Sequence, residues 1–158
     1  MLFRSLARGG AITVAVTSND PEDRFAAGLL KDEIEAATKS KVRLAAGSIG
    51  QIVLSRAGAP EAAGEEGYRI EATRKSIRVS AHTAAGIFYG VQTLRQMIHA
   101  DGIPVAKITD WPAMRWRGLH DDLSRGPVPS TEYIKRQIRT VAEYKINLYS
   151  FYIEHTYA

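Results

Sequence analysis

The sequence predicts an α+β domain over residues 1–110, a mostly antiparallel sheet with two helices on one face. Over residues 111–158 it predicts the first strand, helix and second strand of an incomplete (β/α)8 barrel. Three observations carry this. Tyr68–Ala72 and Ile77–Ala81 alternate apolar and polar residues about a short turn, which is a hairpin with one buried face. Two capped segments, after Asp20 and after Thr83, carry apolar residues at helical spacing. Finally, a nearly unbroken apolar and aromatic run, Ile146–Ile153, follows a third amphipathic helix, as in parallel strands covered on both faces.

Composition bounds the function. The chain has 158 residues, 45% of them hydrophobic, a net charge of +4 and no cysteine. Disulfides, thiol catalysis and thiolate metal sites are excluded. Cytoplasm, periplasm and a secreted state all fit. Lys and Arg are scattered rather than blocked, so the basic balance reads as a solvated surface, with no nucleic acid partner. No apolar run is long enough for a membrane span. Met1–Arg8 is basic but lacks a continuous apolar stretch and is not read as a signal peptide.

In chain order, Ala11–Thr17 is a buried strand. Asp20 caps a helix with Pro21 in its first turn and Glu22 and Asp23 favoured by the helix dipole. Its expected apolar face is Phe25, Leu29, Leu30, Ile34 and Ala37, and its end lies near Thr38–Ser40. Lys41–Ala45 and Gln51–Ser55 are strands, and Gly58–Gly67 is a surface loop. The hairpin follows. Thr83 caps the second helix, with Ile87, Val91, Leu94 and Ile98 on its apolar face and Asp101-Gly102 at its end. Gly86 and Gly90 share a face. Each costs a helix about 1 kcal/mol relative to alanine, so the pair predicts close packing on the sheet. Ile103–Thr109 is a last strand, marked by Pro104 as an edge or irregular strand. His82 and His99 are isolated.

Polar residues cluster in Arg117, His120, Asp121 and Asp122 and again in Glu154 and His155, each group closing a predicted strand. In a (β/α)8 barrel the active site is built at the C-terminal ends of the strands. Ser130 or Thr131 caps the intervening helix, and Ile134, Ile138, Val141 and Ala142 form its stripe. A whole barrel takes about 250 residues, so the sequence is expected to be the opening of a longer fold. Its second strand then lacks neighbours and predicts self-association or disorder. A metal site built from His120, Asp121, Asp122, Glu154 and His155 is an alternative, but mutual ion pairs account for the same residues. The reading calls for no metal and no cofactor.

Arg117-Gly118-Leu119, Asp122 and Ser124-Arg125, preceded by Asp110-Trp111-Pro112 and followed by Tyr144-Lys145-Ile146-Asn147, resemble the opening barrel strands of glycoside hydrolase family 20, the β-N-acetylhexosaminidases. Gly67-Tyr68-Arg69-Ile70 and the Ala84–Leu94 helix resemble that family's non-catalytic N-terminal domain. The resemblance implies exo-hydrolysis of terminal N-acetylglucosamine or N-acetylgalactosamine by substrate-assisted catalysis. The family's catalytic Asp-Glu pair belongs to a later strand, so no catalytic residue is expected in this chain, and a carbohydrate is its expected partner. Arg117 is expected to bind hydroxyls of the terminal sugar, with Asp122 in support. The family's second strand usually ends His-Trp-His followed shortly by Asp. Here those places read Ser150-Phe151-Tyr152 and Glu154-His155, and Glu154 and His155 are expected to supply the replaced polar groups. A non-catalytic accessory or carbohydrate-binding module is the alternative.

Overall fold

The computed structural model describes residues 2–3, 11–124 and 126–154. It divides into two compact units, Met1–Pro112 and Ala113–Ala158. Apart from Leu2 and Phe3, the basic N-terminal segment Met1–Arg8 lies outside the described residues, as do Arg125 and His155.

The first unit runs β1 (Leu2–Phe3), β2 (Ala11–Val16), α1 (Pro21–Ala37), β3 (Lys41–Ala46), β4 (Ile52–Ser55), β5 (Tyr68–Ala72), β6 (Ile77–Ala81), α2 (Ala84–Gln96), β7 (Ile103–Pro104) and β8 (Ala106–Asp110). Six strands form one sheet in the order β3-β2-β4-β6-β5-β8. The expected antiparallel pairing holds for β6-β5-β8, whereas β3, β2, β4 and β6 run parallel. The sheet is therefore mixed. Its parallel half follows from α1, because parallel neighbours need a crossover and a 17-residue helix joins β2 to β3. The signal was present in β4, whose Ile-Val-Leu-Ser run does not alternate and is buried at all four positions.

Both helices lie on one face of the sheet. α1 packs over β2 and β3, α2 over β5 and β6, and the helices touch each other. The buried face of α1 is Asp23, Ala26, Ala27, Leu30 and Ile34, while Phe25 is 62% exposed. Leu30 and Ile34 of the expected face are buried and Leu29 and Ala37 half-buried, and at its start the face takes in Asp23, 2% exposed, in place of Phe25. Arg56, just after β4, donates from Nε to Asp23 Oδ2 at 2.7 Å and from Nη2 to Asp23 Oδ1 at 2.9 Å and Asp20 Oδ2 at 2.8 Å. Asp23 also accepts from the Ser18 hydroxyl. The cap residue Asp20 and the helix-dipole residue Asp23 thus hold a guanidinium, whose pKa is raised chiefly by its hydrogen bond to Asp23.

α2 begins at Thr83, whose hydroxyl oxygen accepts from Gly86 N at 3.1 Å. A methyl group on Gly86 would stand 2.6 Å from Gly67 O and 2.7 Å from Ala81 Cβ, and one on Gly90 would stand 2.5 Å from Val79 Cγ1. The glycine pair therefore sets how closely the helix approaches the hairpin. Below it the Tyr68 hydroxyl donates to Asp110 Oδ2 at 2.6 Å and lies 2.6 Å from Thr93 Oγ1, joining β5, α2 and β8. The helix stops at Gln96, short of the expected Asp101-Gly102, because His99 and Gly102 exchange two backbone hydrogen bonds of 3.0 Å around a turn with Gly102 at φ +133. The expected strand Ile103–Thr109 is two. Ile103–Pro104 pairs with Leu2–Phe3, and Ala106–Asp110 pairs with β5. Proline donates nothing to a ladder, and the chain changes partner just after Pro104.

The second unit contains β9 (Gly118–Asp122), α3 (Thr131–Glu143) and β10 (Leu148–Tyr152). Ser130 caps α3 by accepting from Tyr133 N at 3.3 Å. Of its stripe, Ile134, Val141 and Ala142 are half-buried and Ile138 is exposed. Among the described residues of this unit only Leu123 is buried, at 9% exposure.

Gly90→Ala is expected to lower the unfolding free energy by about 1–3 kcal/mol through overpacking against Val79 and Tyr68. Urea unfolding measures it. A variant as stable as the parent would show that α2 can back away from the sheet.

Candidate functional site

The second unit places two parallel strands side by side. Their register pairs Gly118 with Leu148, Leu119 with Tyr149, His120 with Ser150, Asp121 with Phe151 and Asp122 with Tyr152. Paired residues of parallel strands share a face and successive ones alternate. One face therefore carries His120, Asp122, Leu148, Ser150 and Tyr152, and the other carries Leu119, Asp121, Tyr149 and Phe151.

The N-terminal end of this pair is closed by a clasp. Arg117 N donates to Asn147 Oδ1 at 2.9 Å, and Arg117 O accepts from the N–H groups of Asn147 (3.0 Å) and Leu148 (3.2 Å). Asn147 Nδ2 donates to Arg115 O at 2.7 Å. The Arg117 guanidinium donates from Nε to Lys145 O at 2.7 Å and from Nη1 to Met114 O at 2.8 Å. Lys145 reaches this position with φ +59, a left-handed conformation few non-glycine residues adopt. The Tyr144–Asn147 motif is thus the turn that seats β10 against β9.

Arg117 is expected from the sequence to bind sugar hydroxyls, and its place in the strand bears on that expectation. It precedes the first residue of β9, whereas Asp122 ends the strand about 16 Å further on at strand rise. The guanidinium lies on backbone carbonyls at the opposite end from Asp122 and Glu154, so the structure does not bring Arg117 to them.

At the C-terminal end, Asp122 Oδ1 accepts from Ser124 N at 2.8 Å and from Ser124 Oγ at 2.5 Å. Glu154, exposed and at φ +30, accepts from the Tyr152 hydroxyl at 2.8 Å. That bond, with partial desolvation and the Asp122 charge behind it, raises the Tyr152 pKa. Asp122 and Glu154 therefore gather around Tyr152. On the opposite face the Tyr149 hydroxyl donates to Asp121 Oδ2 at 3.1 Å. Desolvation first, then this hydrogen bond, raises the Tyr149 pKa. His120 Nδ1 lies 2.7 Å from Ser150 Oγ.

Alternation parts Asp121 from His120 and Asp122, and among the described residues no three His, Asp or Glu side chains converge as metal ligands. The sequence reading missed Ser150, Tyr149, Tyr152 and Asn147 as working side chains. The signal that finds the first three is register: once Asn147 is set beside Arg117, residue parity assigns each face. Chemically, the arrangement offers carboxylate acceptors, phenol and imidazole groups and an aromatic ring on one side of a strand pair, a surface suited to a ligand rich in hydroxyl groups.

Asn147→Ala is expected to destabilise the second unit by about 1 kcal/mol, since it removes the carboxamide bonds to the Arg117 N–H and the Arg115 carbonyl. Amide hydrogen exchange across Gly118–Asp122 reads this, and unchanged protection would show that the backbone ladder suffices. Because the folded-state pKa of Tyr149 lies above its unfolded value, its contribution to stability is present below the ordinary tyrosine pKa and is lost as pH rises through the folded value. Ultraviolet titration should show Asp121→Asn lowering that pKa, and an unmoved titration would remove Asp121 from the causes of the shift.

The comparisons with known proteins cover both units. The model of glycosyl hydrolase family 20, domain 2, matches residues 9–111. A β-N-acetylhexosaminidase of Cellulomonas fimi is 30% identical over 146 residues, covering 87% of this chain and 29% of that protein. A β-hexosaminidase of Vibrio vulnificus is 35% identical over 88 residues, 54% of this chain and 10% of its own length. Among solved structures, a mutant β-hexosaminidase of Streptomyces plicatus in complex with its product GlcNAc superposes with a TM-score of 0.78 at 31% identity, over 90% of this chain and 32% of the other. The chain thus spans less than a third of the length of these curated relatives. With the domain model matched over most of the first unit and the Cellulomonas protein aligned along most of the chain, this protein belongs to glycosyl hydrolase family 20.

Proposed function

We propose that residues 1–110 are the non-catalytic N-terminal domain, and residues 111–158 the first strand, helix and second strand of the (β/α)8 catalytic barrel, of an exo-acting β-N-acetylhexosaminidase. The observation that carries this is the parallel β9-α3-β10 unit with its polar groups gathered at the C-terminal strand ends, following a family 20 domain. Barrel enzymes build their sites at that end of their strands.

In this reading the substrate is a terminal N-acetylglucosamine or N-acetylgalactosamine residue. Its acetamido oxygen attacks the anomeric carbon while a general acid protonates the leaving oxygen, the substrate-assisted route that stands apart from the two-carboxylate scheme. The Asp-Glu pair for that chemistry is not among these 158 residues. The chain supplies binding groups. Asp122, oriented by Ser124, and Glu154, bonded to Tyr152, accept hydrogen bonds from sugar hydroxyls, and His155, outside the described residues, is a further candidate from the sequence. Arg117 serves the site as support, by holding β10 in register with β9. No metal or cofactor is called for.

The test is hydrolysis of aryl N-acetyl-β-glucosaminide and aryl N-acetyl-β-galactosaminide by the enzyme that carries this chain and by residues 1–158 alone. Turnover by the enzyme and none by the isolated chain is expected. Hydrolysis by the isolated chain would put the acid within it. A folded enzyme inert on both sugars would refute the N-acetylhexosamine substrate.

A further inference from the structure

One group on the polar face of the strand pair belongs to no motif and has no part in the proposal above. His120 stands in the middle of β9 opposite Ser150, with Nδ1 2.7 Å from the serine hydroxyl. An imidazole tethered at Nδ1 has its ring oriented and presents Nε2 on the far edge. His120 is exposed, and the Tyr152 ring, itself 44% exposed, stands beside it with centroids 6.3 Å apart and planes inclined by 49°. Asp122 is the register partner of Tyr152 on the same face, with its carboxylate oriented by Ser124. From His120 to Asp122 is about 7 Å of strand. An aromatic ring, an oriented imidazole and an anchored carboxylate therefore lie within the length of one sugar ring.

A pyranose needs such a set. Its C–H face packs on an aromatic ring, and its hydroxyls need a fixed donor or acceptor and a carboxylate. We infer that His120, held by Ser150, is a specificity-determining residue: with Tyr152 as stacking surface and Asp122 as acceptor, it decides which hexopyranose hydroxyl pattern the site accepts. The inference rests on the proposed hydrolase reading for the location of the site, and it adds the residue that selects the sugar. Register is already held at the other end by Arg117 and Asn147, so the His120–Ser150 bond is not needed to align the strands.

The test compares wild type, His120→Phe, His120→Gln and Ser150→Ala in the enzyme that carries this chain. It measures kcat/KM on the two aryl N-acetylhexosaminides, calorimetric binding of methyl β-glucoside and methyl β-galactoside, and the melting temperature of each variant. His120→Phe should weaken the preferred sugar about tenfold and shift the gluco-to-galacto ratio about fivefold, since a site built to hydrogen-bond a hydroxyl discriminates strongly when its polar group is lost. His120→Gln, which keeps an amide near the Nε2 position, should recover part of both. Ser150→Ala should lose about threefold, the smaller effect of freeing the ring. An unchanged sugar ratio in all three variants, or losses that merely follow falling melting temperatures, would overturn the inference. If wild type hydrolyses neither aryl sugar yet binds a methyl hexoside in a His120-dependent way, the hydrolase reading fails and the role of His120 stands. If no sugar binds at all, both fail.

Discussion

Two parallel strands share no turn, so something other than chain connectivity must set their register. In the second unit that constraint is the pairing of Arg117 with Asn147. The asparagine carboxamide bonds the backbone on both sides of Trp116, the Arg117 carbonyl receives the N–H groups of Asn147 and of Leu148, the first residue of the incoming strand, and the guanidinium holds the Lys145 carbonyl. A slip of one residue would exchange the two faces of β10. Ser150 would leave His120, Tyr152 would leave Asp122, and the polar face would be dispersed. The chemistry at one end of the ladder is fixed by hydrogen bonds at the other.

The first unit solves a different problem, two helices against one face of a six-stranded sheet. α2 can lie close because Gly86 and Gly90 leave no methyl group between it and the hairpin. α1 approaches through Ala26 and Ala27 and is turned so that Asp23 faces inward. Burying a carboxylate is costly unless it is paired, and Arg56 pairs it with two hydrogen bonds while reaching Asp20 with a third contact. The exposure of Phe25 is the other side of that rotation.

Arg117 stands at the entry to β9 rather than at its C-terminal end. A guanidinium near two aspartates in sequence suggests a site for hydroxyls, and the fixed donors of arginine suit that task. The same donors suit carbonyls at a strand entry equally well. Strand rise separates Arg117 from Asp122 by the full length of β9, and the carbonyls of Lys145 and Met114 are at hand where the strand begins. Among the described residues, cross-strand pairing sets Tyr152 beside Asp122 and Ser150 beside His120, side chains of ordinary appearance in the sequence.

Much of this was legible from local rules. Helix caps at Asp20, Thr83 and Ser130, the alternation of Tyr68–Ala72 and Ile77–Ala81 and the irregularity of the last strand at Pro104 depend on near neighbours in the chain, and the family resemblance lay in short motifs of fixed spacing. The close packing announced by Gly86 and Gly90 was legible for the same reason, since a helix tolerates paired glycines where backbones must meet. Strand direction in the sheet, the partnership of Arg56 with Asp23, the end of α2 at Gln96, and the separation of Arg117 from Asp122 and Glu154 were decided only by the tertiary structure. Each turns on which groups meet across intervals of tens of residues, and on the length of a strand as a distance in space, which local periodicity does not encode.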